Sequence, residues 1–177
     1  SASRFAPSIS YESDSYKISM QDGVAYKVLD NEGFKLSAAL SPTFAPYDST
    51  DSAALADMTR KMTIDAKLSG AFDILRGTIL KVSYSTEVTS EHGGSLLDLA
   101  ISQFLPIGGQ PVIFSVGTKR HDSRRAHYKY GVKDTEATAS RAVYSPGATN
   151  LTYVSVNTFY DLSRTVSAFA NVTANFL

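Results

Sequence analysis

No cysteine occurs among the 177 residues, which excludes disulfides, thiolate zinc sites and thiol catalysis together. Net charge is absent too: 17 Lys and Arg balance 17 Asp and Glu, so no global field draws the chain toward nucleic acid or acidic lipid. No apolar run approaches the roughly 18 to 20 residues that a membrane helix needs. The N-terminus, Ser1-Ala2-Ser3-Arg4-Phe5, shows no basic stretch followed by an apolar one; if the protein is exported, its leader has been removed or lies outside this sequence. A hydrophobic fraction of 43% and a mean hydropathy of -0.10 suit an ordinary soluble protein. They suit a membrane β-barrel equally, because its strands show lipid only every second residue.

What the chain has in quantity is period-two alternation. Across 63–74, Ile64, Ala66, Leu68, Gly70, Phe72 and Ile74 oppose Thr63, Asp65, Lys67, Ser69, Ala71 and Asp73. Residues 34–44 repeat it, with Phe34, Leu36, Ala38, Leu40 and Phe44 against Lys35, Ser37, Ala39, Ser41 and Thr43. The same pattern covers 78–88 and 164–177, and in weaker form 4–11, 16–29, 95–105, 111–119 and 150–160. Asp22 interrupts the apolar face of 16–29. These segments predict nine strands in one all-β domain, 1–177, with no low-complexity linker dividing it.

A lipocalin-like soluble barrel or a β-sandwich produces the same alternation with inside and outside exchanged. Strand length and loop order favour the membrane. Globular strands average about 5 to 6 residues, whereas a tilted membrane strand needs roughly 9 to 11. Short turns at 30–33, 75–77, 106–109 and 161–163 alternate with longer connections after 12, 45, 89 and 120. That sorting is expected when one rim faces the periplasm and the other the outside. The fold predicted is an antiparallel up-and-down transmembrane barrel of about ten strands in the Gram-negative outer membrane. Strand 4–11 then runs outward, strand 164–177 also ends outside, and an even-numbered barrel calls for one more strand beyond the sequence. Pairs such as Phe34 with Phe44, Tyr16 with Tyr26 and Tyr153 with Phe159 are candidates for interfacial girdles. Charges of both signs on the polar face, among them Asp65, Lys67, Asp73, Lys81 and Asp98, are expected to neutralise one another in a narrow, plugged lumen.

Chemistry-bearing motifs are few. His121 and Ser123 are neighbours in sequence only, which is no catalytic geometry, and His121, Asp122 and His127 lack a ligand spacing. No catalytic, cofactor or metal residue is assigned, and no enzyme activity or nucleic-acid partner is expected. Arg120, Arg124 and Arg125 form a basic run suited to lipopolysaccharide phosphates, the alternative being a solvated loop. The segment 120–150 lacks a strand pattern, which marks a function-bearing or lumen-folding loop. Within it, 133–139 has helix-compatible composition with Asp134 and Glu136 near its start, and Tyr144-Ser145-Pro146-Gly147 reads as a turn.

This loop also carries a resemblance. Tyr128-x-Tyr130-Gly131-Val132, then Glu136-Ala137, Arg141 and Tyr144-x-Pro146-Gly147, resembles the signature of the MipA/OmpV family of outer-membrane proteins. Leu55-x-x-Met58-x-Arg60-x-x-Thr63, Arg76-Gly77, Tyr153-Val154 and Ala168-Phe169-Ala170 extend the likeness along the whole chain. Family members usually carry a further N-terminal segment and a final strand ending in an aromatic residue, neither of which is present. The resemblance implies a non-enzymatic outer-membrane protein without cofactor; it does not transfer a partner, and a scaffold role toward a periplasmic murein transglycosylase or synthase is one of the readings it leaves open. The alternative is a small-solute channel, or a surface adhesin using loops 45–61 and 120–150.

Overall fold

The structure, a computed structural model, describes residues 10–19, 23–47, 49, 52, 55, 57–161 and 167–176. Ten strands follow one another in a single antiparallel sheet, each paired with its neighbour in sequence. They are β1 (Ser10–Glu12), β2 (Tyr16–Ser19), β3 (Gly23–Asn31), β4 (Phe34–Thr43), β5 (Thr63–Leu75), β6 (Thr78–Glu87), β7 (Ser95–Ile107), β8 (Gln110–His121), β9 (Thr149–Asp161) and β10 (Ser167–Phe176). The strands from β3 onward are 9 to 13 residues long, the length a tilted membrane strand needs. β1 and β10 are the two edges of the described sheet.

One expected strand is in fact two. Residues 16–29 form β2 and the start of β3, which pair antiparallel with Tyr16 opposite Tyr26 and Ser19 opposite Gly23. The break in alternation at Asp22 falls between them. The described residues therefore hold ten strands where nine were expected, and β1 runs opposite to the direction expected for 4–11. The two edge strands of the described sheet are antiparallel to each other. Of the expected strand 4–11, residues 4–9 lie outside the described residues, as do 164–166 and 177 of the last.

Two-residue turns join β3 to β4, β5 to β6 and β7 to β8. The last is Gly108-Gly109, both at positive φ (59° and 79°), the conformation of a type I′ hairpin. The connections 44–62, 88–94 and 122–148 all leave the opposite rim.

Burial is inverted relative to a soluble protein. Small polar side chains point to the concave face and are buried: Ser85, Ser102, Ser115 and Ser155 are each 7% exposed or less. Leu68, Ile101 and Val116 on the other face stand 52%, 51% and 44% exposed. Continuous apolar rows that water would penalise are what a lipid-facing surface requires. The sheet wraps far enough for β4, β5, β6, β7 and β9 to line one cavity on the concave side.

Tyr153 departs from its expected place in a girdle. Its ring lies across the concave face, and its hydroxyl donates to Asp98 Oδ1 at 3.0 Å. Gly117 makes the room: a Cβ there would stand 2.5 Å from the Tyr153 ring and 2.7 Å from the Leu99 carbonyl. Gly117→Ala is expected to destabilise the barrel by about 1 to 3 kcal/mol, the usual scale of overpacking. Urea unfolding of the lipid-reconstituted protein measures this, and an unchanged midpoint would contradict the close approach. Tyr16 and Tyr26 also face each other across one ladder rather than capping opposite ends of a strand. Phe34 and Phe72 do pair at the short-turn end, with ring centroids 4.8 Å apart. The side chain of Phe159 lies outside the described residues.

Candidate functional site

The loop after β8 folds back into the mouth of the sheet. Its helix, α1 (Ser123–Tyr130), lies earlier than the helix-compatible stretch 133–139. Capping decides the placement. Asp122 Oδ1 accepts the Arg125 N–H at 2.8 Å, and Asp122 Oδ2 accepts the Ser95 hydroxyl at 3.1 Å. His127 and Lys129 occupy the last turn, where the helix dipole favours cations. Gly131 ends the helix by donating its N–H to the His127 carbonyl at 2.8 Å. Residues 134–136 form one 3-10 turn only. Tyr144-Ser145-Pro146-Gly147 makes no turn; Tyr144 instead bridges to Val132 in extended conformation.

Two ion pairs hold this plug. Arg125 reaches from α1 to Asp65 on β5, Nη2 to Oδ2 2.7 Å, with both side chains 5% exposed. Arg60, from the connection before β5, has a fully buried side chain paired with Glu136. Its guanidinium also donates to the carbonyls of Tyr128 (Nε, 2.6 Å) and Gly131 (Nη2, 3.1 Å). With the Thr59 carbonyl accepting from Nη1 at 2.9 Å, two carboxylate oxygens and three carbonyls therefore surround one planar fork, a geometry lysine could not fill. The Tyr47 and Tyr128 rings lie 5.3 and 5.6 Å from the guanidinium carbon. Tyr128 closes the remaining seam: its hydroxyl accepts the Lys61 N–H and donates to the Lys61 carbonyl, both at 2.7 Å. The hydrogen bonds from Arg60 hold the Glu136 carboxyl below its ordinary range.

The resemblance motif is thus largely one structural unit. Tyr128, Gly131, Glu136 and Arg60 meet in the latch, Arg141 donates Nε to the Glu136 carbonyl at 2.8 Å, and Val132 pairs with Tyr144. Tyr130 sets its ring edge-on to His121 at 6.2 Å, whereas Gly147 is exposed. Of the three arginines suited to lipopolysaccharide, Arg120 and Arg124 are exposed, but Arg125 turns inward to Asp65. Neither ring nitrogen of His121 has a hydrogen-bond partner, so no pair with Ser123 forms. Arg60 entered the sequence analysis only as part of the family resemblance and Asp65 only as a charge on the polar face; nothing near either in sequence assigned them to the plug.

The wall neutralises itself only in part, and with other partners than the sequence suggested. Asp65 is taken by the plug, and Asp98 by Tyr153 and by Lys119 at 4.0 Å. Lys27 pairs instead with Glu12, 2.8 Å away. Lys67 and Lys81 are left without an ion pair among the described residues.

A family model described as "MltA-interacting protein MipA" matches residues 1–177. Outer membrane protein Omp26La of Vibrio anguillarum is 27% identical over 128 residues, 71% of this chain and 49% of that protein. Outer membrane protein OmpV of Vibrio cholerae is 26% identical over the same span and shares. The chain spans about half the length of these curated relatives. No solved structure matches it.

Proposed function

The chain belongs to the MipA family of Gram-negative outer-membrane proteins, and from that premise we propose that it is a non-enzymatic scaffold for a peptidoglycan-processing enzyme. The observation that carries this reading is the match of all 177 residues to a family described as MltA-interacting. The plugged mouth supports it, because a loop latched by two buried ion pairs does not suit a general diffusion pore. The short-turn rim faces the periplasm in this reading and presents the partner surface. The latched loop faces outward, where Arg120 and Arg124 meet lipopolysaccharide phosphates.

Crosslinking in intact cells followed by identification of the captured proteins tests the scaffold. Recovery of a murein transglycosylase or synthase is expected, and its absence while other envelope proteins are captured would overturn it. The double variant Arg120→Ala/Arg124→Ala is expected to bind lipopolysaccharide several-fold more weakly than the wild type in a direct titration.

A further inference from the structure

The lumen carries an arrangement that a scaffold does not need. The register of β4 to β9 places inward side chains in level rows. The middle row runs Ser37, Ser69, Ser83, then Asp98. One level nearer the short turns, Lys35 and Lys81 stand on either side of Ala71. One level nearer the plug, Lys67 stands between Ala39 and Ser85. Three lysines thus surround three serine hydroxyls on adjacent strands. Lys35 and Lys81, two strands apart, have Cα atoms roughly 10 Å from each other.

Small residues create the space. Ala71, Gly70, Ala100 and the serines line a cavity of about 260 Å³ with the lysines at its margin. Asp98 is the acid on its wall, and that carboxylate already accepts the Tyr153 hydroxyl. Lys35 makes one exposed pair with Asp30, 3.1 Å, of the kind worth little in water. Among the described residues Lys67 and Lys81 make no ion pair or side-chain hydrogen bond, and the hydroxyls of Ser37, Ser69 and Ser83 make no side-chain hydrogen bond either. Lys35 and Lys81 are exposed and Lys67 half-buried on the polar inner face, so their ammonium groups are open to a ligand that enters the lumen.

We infer that this lumen cavity binds a small oxyanion, a phosphate or a short di- or tricarboxylate, held by Lys35, Lys67 and Lys81 and hydrogen-bonded by the serine row. Lysine supplies point charges from several directions, and serine hydroxyls supply donors that turn toward whichever oxygen arrives. With the long-loop mouth latched, the ligand enters from the short-turn rim.

Isothermal titration of the folded, detergent-solubilised protein with inorganic phosphate and with citrate, at constant ionic strength, tests the site. Saturable binding of at least one probe is expected. Lys67→Ala/Lys81→Ala should weaken it at least tenfold, Lys67→Arg/Lys81→Arg should keep it within a few-fold, and Lys133→Ala on the exposed loop should leave it unchanged. Heat-modifiable gel mobility verifies that each variant is folded. No saturable binding of either probe by the wild type, or equal binding by folded Lys67→Ala/Lys81→Ala, would overturn the inference; should that variant not fold, the wild-type and arginine titrations decide. Crosslinking to a periplasmic enzyme is expected to be the same in wild type and Lys67→Ala/Lys81→Ala, so failure of one reading leaves the other standing.

Discussion

Arg60→Ala should open the loop over the barrel mouth. The substitution leaves Glu136 as an unpaired carboxylate at a site where both partners are buried, a loss on the order of 3 to 5 kcal/mol. It also removes the donors to the Tyr128 and Gly131 carbonyls. Because the latch closes a loop and not the sheet, the expected result is local. Amide exchange across 123–147 and tryptic cleavage at Lys129 and Lys133 should accelerate strongly, while the heat-modifiable mobility of the barrel persists. Arg60→Lys should rescue little, since an ammonium lacks the planar fork that meets both Glu136 oxygens. Wild-type protection of the loop in the variant would refute the latch.

The same pair sets a pH dependence. Glu136 titrates below its ordinary value of 4.5 in the folded loop, chiefly through the Arg60 hydrogen bond. A carboxyl with a depressed folded pKa contributes stability that is complete above its unfolded pKa and is lost as pH falls through the folded one. Protection of 123–147 should therefore be steady above about pH 4.5 and decline below it. Arg60→Ala should abolish most of that decline. A wild-type loop that loosened instead between pH 6 and 8 would point to another group.

Leu68→Arg should prevent or severely weaken insertion, at a cost of about 2 to 4 kcal/mol if its level is near the membrane midplane. Leu68 lies on the exposed apolar face of β5, between the inward-pointing Lys67 and Ser69. Asn157→Lys, on the concave face of β9 beside Ser155, is the matched control and should fold nearly as well. The contrast is the direct test of which face meets lipid. If both variants inserted equally into vesicles, or if only Asn157→Lys failed, the assignment of faces would be reversed.

Much of the architecture was legible because alternation is a local property. From β4 to β9 the predicted segments match the observed strands to within a few residues, since one side chain in two must face lipid and the sequence records that directly. The tight turns were legible for a similar reason: the positive φ at Gly33, Gly77, Gly108 and Gly109 is available to glycine at little cost. Residues 16–29 were misread as one strand because both arms of a hairpin keep the same period, and only the antiparallel pairing of β2 with β3 separates them. The loop helix was misplaced because composition favoured 133–139, whereas one capping carboxylate at Asp122 determined the start.

What the sequence alone determined, then, is the face of each strand, the order of the long and short connections, and the family, all of which depend on neighbours along the chain. Only the tertiary structure decided how charges were matched. Arg60 lies 76 residues from Glu136, and Asp65 is 60 from Arg125, so no window along the sequence could pair them. The plug draws Asp65 to itself, Tyr153 occupies Asp98, and Lys67 and Lys81 are left facing a cavity. A net charge of zero read from composition concealed that imbalance, because charge is neutralised by proximity and not by count.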